Sequence, residues 1–278
     1  MDGEYLDTNT WAERQARRRA RRQAQPVAPA EPRFWEIDAI RGIAIGMMVL
    51  YHLVYDLDYF GDFDLNATSG FWRLFATTTA FLFVFLVGVS LAVSYDRSRQ
   101  TATSESRLFR KYASRGVRVL GYGMLITLVI WLAVPDGQIY FGILHAIGLS
   151  IILAYPFLGR PKLALLVAVP VLLAAPVVET LRMDEPWLLW LGVRAPVGYM
   201  FDYRPVIPWF GVALLGIVAA SYLYRNGERR FPWPVQIPFS LSRQLATLGR
   251  YSLVIYLLHQ PLLLGVMYAL GLIDLGIF

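Results

Sequence analysis

The sequence predicts an all-α fold, a multi-pass bundle of about seven transmembrane helices, and three observations predict it. Of the 278 residues, 56% are hydrophobic and only 17% charged, with a mean hydropathy of +0.47, a composition outside the range of ordinary soluble domains. Apolar runs long enough to cross roughly 30 Å of hydrocarbon recur along the chain, at 37–57, 71–95, 113–134, 139–158, 162–181, 205–224 and 246–270. The loops between them alternate in charge. The absence of cysteine excludes disulfide frameworks, thiolate metal sites and cysteine nucleophiles.

Residues 1–33 differ in kind from the rest. RQARRRARRQAQ followed by PVAPAEP is arginine-rich with no apolar core, so it reads as a disordered cytoplasmic tail that touches anionic lipid, not as a signal peptide. Residues 34–278 form one transmembrane domain. With the N-terminus inside, 22 of the 26 Lys and Arg residues fall on the inner side, and only Arg73, Arg182, Arg194 and Arg204 fall outside. The positive-inside rule therefore sets the N-terminus cytoplasmic and the C-terminus outside, in the plasma membrane.

The first run carries Arg41, His52 and Asp56. Arg41 and His52 lie close to three helical turns apart, so they share one face at a separation of about 16 Å along the axis. A cation, an imidazole and a carboxylate lined up in an apolar segment are expensive in lipid and mark a functional site. Asp56, one turn beyond His52, is placed to pair with it and fix its tautomer. The second run contains FLVGVSLAVS, whose small residues let helices approach closely. The third opens on Arg115 and Arg118, three apart on one face. The fourth brings His145 in from the outer side, shortly after Tyr140. The fifth, with Pro170 and Pro176, reads as a kinked packing helix. EPWLLWLGV after it is too short to cross and reads as a re-entrant or interfacial turn. The sixth contains PWFGVALLG, again small residues for packing. The seventh carries Arg250 and His259, with Pro261 expected to kink or open the helix beside that histidine.

All three histidines of the chain thus fall inside predicted spans, at related depths. Arg41, Arg115, Arg118 and Arg250 ring a cytoplasmic mouth, and guanidinium groups suit phosphate, although arginines at inner helix ends also serve as topology signals. No zinc-type spacing joins the histidines, so no metal is expected.

Taken in order, IDAIRGIAIGMMVLYHLVYDL, FLFVFLVGVSLAVS, RGVRVLGYGMLIT, YFGILHAIGLS, PWFGVALLGI and LGRYSLVIYLLHQP resemble the small prokaryotic members of the heparan-alpha-glucosaminide N-acetyltransferase-like membrane family. That family is similar in turn to the acyltransferase 3 superfamily. An Arg-x10-His first helix and an Arg-x-x-Arg pair on the third are the superfamily's working motifs, matched here by Arg41 with His52 and by Arg115 with Arg118. The resemblance covers about residues 36–262. It implies an acetyltransferase that takes an acyl group from cytoplasmic acetyl-CoA, without a metal, and delivers it to an amine or hydroxyl of a glycan or glycolipid beyond the membrane. His52 is the first candidate for catalysis, with His145, His259 and Asp56 beside it, and the four arginines are candidates for the coenzyme A phosphates. Acyl-CoA, the glycan acceptor and membrane lipids are the expected partners, nucleic acid is not, and a homodimer is left open. A proton-coupled transporter or lipid scramblase and a non-catalytic membrane scaffold are the rival classes.

Overall fold

The computed structural model describes residues 15–16, 34–133, 138–198, 200–225, 228–232 and 239–274. The chain divides into two units, Met1–Phe34 and Trp35–Phe278. Apart from residues 15–16, which are helical, the tail expected over 1–33 lies outside the described residues.

Among the described residues the second unit is built from α1 (Trp35–Phe60), α2 (Gly70–Thr101), α3 (Glu105–Ala133), α4 (Ile143–Leu153), α5 (Pro161–Leu173), α6 (Ala175–Val178), α7 (Val206–Leu223), α8 (Phe239–Arg250) and α9 (Ser252–Ala269). A two-residue hairpin, β1 (Tyr224–Arg225) with β2 (Glu228–Arg229), follows α7. Among the described residues six spans are long and apolar enough to cross a membrane: α1, α2, α3, α5 continuing into α6, α7 and α9. Their outward faces are apolar too, with Leu166 and Leu173 each 70% exposed. A soluble protein would bury these side chains, and lipid accepts them. The chain is a multi-pass membrane protein.

Between helices the contact is made by backbone, through glycine. Gly42 of α1 lies against Leu245 and Gly249 of α8, while Gly249 lies against Asp38 and Gly42. Gly88 of α2 faces Ala213 of α7, and Gly216 of α7 faces Phe85 and Gly88. Gly116 of α3 and Gly148 of α4 face each other in the same way. Gly116 lies by Ile152, Leu120 by Gly148 and Gly123 by His145, so α3 and α4 are antiparallel, whereas Gly42 lies by Gly249 and His52 by His259, so α1 runs parallel to α8 and α9. Lipid offers no hydrophobic force between helices, so close van der Waals approach must hold them. A side chain at Gly88 would fall on the Ala213 carbonyl, whereas Gly121 has open space around it. Gly88→Leu is therefore expected to destabilise the bundle by about 1–3 kcal/mol, read as a lower thermal midpoint in detergent. Gly121→Leu should leave the midpoint in place, and an equal response from both variants would contradict the close packing.

Three predicted runs differ in form. The fourth yields only the eleven residues of α4, followed by a 3-10 turn over Tyr155–Phe157. Residues 138–142 ahead of it are irregular and lie beside 200–204: Gln138 bridges Met200, Phe201 N–H donates to Gln138 O and Arg204 N–H to Phe141 O. The fifth breaks at Ala174, two residues before Pro176. The seventh breaks at Tyr251 rather than at Pro261. Residues 246–250 belong to α8, a polar amphipathic helix whose Ala246 and Gly249 are buried while Arg243, Gln244 and Thr247 are exposed. α9 runs through Pro261 without interruption, the proline removing only the donor that the Leu257 carbonyl would have used. The segment EPWLLWLGV forms a 3-10 helix, Pro186–Leu191, with Trp187 exposed and Leu189 buried.

Candidate functional site

The stripe on α1 is real, and the other helices give each of its members a different partner. At one end, Arg41 donates to Asp38 Oδ1 and to Ser90 Oγ of α2, each at 2.7 Å, and Arg250 of α8 reaches Asp38 Oδ2 at 3.6 Å. Two of the four arginines expected to stand open are thus held by a single acid on the same turn as Arg41. Arg115 lies near enough to Arg41 for the two charges to repel. Neither Arg115 nor Arg118 has a hydrogen-bond or ion-pair partner among the described residues, and both are exposed. Arg41, Arg115 and Arg250 therefore gather at one end of α1, with Arg118 one turn along α3.

A second ionic cluster ties the loop after α7 to the start of α1. Glu36 is buried, and Arg229 donates to both its oxygens, Nε to Oε1 at 2.6 Å and Nη2 to Oε2 at 2.7 Å, while Tyr224 Oη donates to Oε1 at 3.2 Å. Its bond to Glu36 holds the Arg229 guanidinium above its ordinary value. Burial, then the adjacent Glu36 charge, pushes the Tyr224 hydroxyl up, so Tyr224 stays a donor.

Further along α1, His52 meets His259 of α9 with ring centroids 4.7 Å apart, edge to face. Helical spacing alone put both near mid-span, and the bundle brings them into contact. Each ring uses Nδ1–H on a backbone carbonyl of its own helix, Met48 O at 2.8 Å for His52 and Tyr256 O at 2.7 Å for His259. A carbonyl only accepts, so in each neutral ring the hydrogen is on Nδ1 and Nε2 is a lone pair. His259 Nε2 is buried without a partner. Asp56, expected to fix the tautomer of His52, does not touch it. The Met48 carbonyl does that, and Asp56 turns to Gln260 of α9, whose Nε2 donates to Oδ1 at 2.7 Å.

His145 stands apart from this pair, at the start of α4. Gly142 N–H donates to its Nδ1 at 3.2 Å, so the neutral ring carries its hydrogen on Nε2, the opposite tautomer, and that atom too is buried without a partner. Gly123 of α3 makes room for it, a side chain there falling 3.0 Å from the ring. What links His145 to His52 is Asp202, a residue the sequence reading did not single out. Asp202 Oδ2 accepts from Ile143 N–H at 2.7 Å, capping α4, and its charge acts on His52, His145 and Tyr256. Arg204, which lies 5.6 Å over the Trp209 ring, acts on His52 and Tyr256 as well. The signal available in the sequence was FDYR, an acid and a base set among aromatics just before the sixth run.

The arrangement offers two lone-pair nitrogens in contact at the His52–His259 pair, with an N–H donor on His145 and the charges of Asp202 and Arg204 acting on the surrounding groups. Unpartnered guanidinium groups lie toward the Arg41 end of the same helix. That combination can hold an anionic donor by its charged end and do proton-transfer chemistry at the other. A family model described as heparan-alpha-glucosaminide N-acetyltransferase, catalytic, matches residues 33–261, a range that contains every side chain of this site. No curated protein and no solved structure matches the chain.

Proposed function

The chain belongs to the heparan-alpha-glucosaminide N-acetyltransferase catalytic family, and from that premise we propose that this membrane acetyltransferase moves an acetyl group from cytoplasmic acetyl-CoA to an amine or hydroxyl of a glycan or glycolipid across the membrane. The observation that carries this reading is the His52–His259 contact, reached along α1 from the arginine end. In this reading the N-terminus and the basic tail are cytoplasmic, the C-terminus is outside, and the membrane is the plasma membrane.

Arg115 and Arg118, which have no hydrogen-bond or ion-pair partner among the described residues, take the coenzyme A phosphates, with Arg41 and Arg250 adding charge from their places beside Asp38. The slim pantetheine arm then spans the roughly 16 Å from Arg41 to His52 along the helix axis. His52 Nε2 is the general base that takes a proton from the acceptor as its nitrogen or oxygen attacks the thioester carbonyl. His259 shares that role from the facing helix. His145, with Nε2–H free, is suited to donate to the carbonyl oxygen as negative charge develops on it. Asp202 keeps His145 in place through the start of α4 and offers a carboxylate to the acceptor.

The test is transfer of labelled acetyl from acetyl-CoA to a glucosamine-terminated oligosaccharide by purified protein in nanodiscs. Absence of both transfer and acceptor-independent thioester hydrolysis overturns the reading, and proton flux in liposomes without acetyl-CoA would favour a transporter instead. Arg115→Ala is expected to raise the KM for acetyl-CoA about tenfold, the loss of one charge-assisted contact, with little change in kcat. An unchanged KM would leave Arg115 a topology signal only.

A further inference from the structure

Along the seam between α1 and α9, hydrogen-bond acceptors meet without donors to serve them. The seam has two rungs. In the first, His52 faces His259; in the second, one turn along α1, Gln260 donates to Asp56 Oδ1. Because both imidazoles give their Nδ1–H to backbone carbonyls, each Nε2 is an acceptor. His259 Nε2, Asp56 Oδ2 and Gln260 Oε1 are all buried with no hydrogen-bond partner, and His52 Nε2 has none among the described residues. Asp56 is 0% exposed. Buried acceptors left unpaired are costly, so this seam is poorly built for packing alone. Among the described residues no three His, Asp or Glu side chains stand close enough to hold a metal ion. What suits the seam is a species that brings its own hydrogens.

We propose that the α1–α9 seam is the proton exit of the acetyl-transfer site, Asp56 receiving the proton that His52 or His259 takes from the acceptor and passing it toward the Phe60 end of α1. This rests on the transferase reading above, whose chemistry leaves a proton over. An ammonium acceptor gives one proton to the base before the free amine attacks the thioester, and as the N–C bond forms the C–S bond breaks. The nitrogen begins with three hydrogens and ends with one; the departing thiolate takes one of the two released, and the other must leave a closed, apolar site. His52 and Asp56 are about 6 Å apart along the helix axis, a gap that one water spans with hydrogen bonds at both ends. The charged and titratable groups facing the seam are His52 on α1, His259 and Tyr256 on α9, and Asp202 and Arg204, which act on His52 from the segment before α7. Asp56 has Gln260 as its polar neighbour.

Asp56 acts here through the histidines, as a relay. Asp56→Asn keeps an oxygen for the Gln260 donor and removes the exchangeable proton. It is expected to lower kcat on the order of 100-fold, leave the KM for acetyl-CoA unchanged and enlarge the solvent deuterium isotope effect, while Asp56→Ala regains turnover when formate is added. Wild-type kcat in Asp56→Asn overturns the relay. So does a loss with an unchanged isotope effect and no rescue by formate, which is what a purely structural role predicts. A second measurement needs no turnover. The infrared band of the Asp56 carboxyl, found by difference from Asp56→Asn, must interconvert between acid and carboxylate positions as the bulk pH is stepped. A band fixed at all pH values removes the relay. If the wild type transfers no acetyl group at all, the transferase reading fails, and the infrared result still decides the seam.

Discussion

His52→Ala is expected to lower acetyl transfer by a factor on the order of 10²–10⁴, the usual loss when a positioned general base is removed, while acetyl-CoA still binds. The expectation follows from tautomer and place together. Met48 O fixes the Nδ1 hydrogen and leaves Nε2 free, and the ring stands in contact with His259. His259→Ala should also lose activity, but less, if His52 is the base and its neighbour a helper. The measurement is single-turnover transfer alongside equilibrium binding of the donor. Full activity in His52→Ala takes that residue out of the mechanism, and lost donor binding would mean that the variant has damaged the pocket instead.

Arg229→Ala is expected to be the most destabilising single change outside the helix contacts, by up to about 3 kcal/mol, the range seen when one partner of a buried ion pair is removed and discounted because the Arg229 side chain is 33% exposed. It would leave the Glu36 carboxylate buried with the Tyr224 hydroxyl as its remaining named donor. The double variant Glu36→Gln with Arg229→Gln should recover most of the loss, since no charge then stays buried. Thermal midpoints in detergent of the wild type, Arg229→Ala, Glu36→Gln, Arg229→Gln and the double variant decide it. An additive double variant would mean that the pair contributes nothing beyond its separate residues.

The helices were legible because hydropathy and length state them directly, and the stripe on α1 because helical period carries Arg41 and His52 to one face. The contact between His52 and His259 was only half legible. Equal depth could be read from spacing, whereas adjacency depends on α1 packing against α9, which no local pattern specifies. The Asp56 partner was misread for the same reason, a residue one turn away on the same helix being easier to see than Gln260 on another. Arg41 and Arg250 were placed at a cytoplasmic mouth without Asp38, the acid in the first turn of α1 that pairs with both. Asp202 was hidden in a loop whose backbone pairs with residues 138–142, a long-range pairing of short irregular segments with no periodicity to announce it. The break at Tyr251 was masked by continuous hydropathy, and Pro261, the obvious breaker, did not break anything.

The shortness of α4 bears on the electrical environment of the site. Its eleven residues rise about 16 Å, roughly half of the hydrocarbon thickness, and the segments 138–142 and 200–204, joined by backbone hydrogen bonds, supply polar backbone ahead of it. Polar backbone is a poor insulator beside hydrocarbon. His145, in the first turn of α4, and Asp202, which caps that turn, are therefore met by polar backbone and not by hydrocarbon alone.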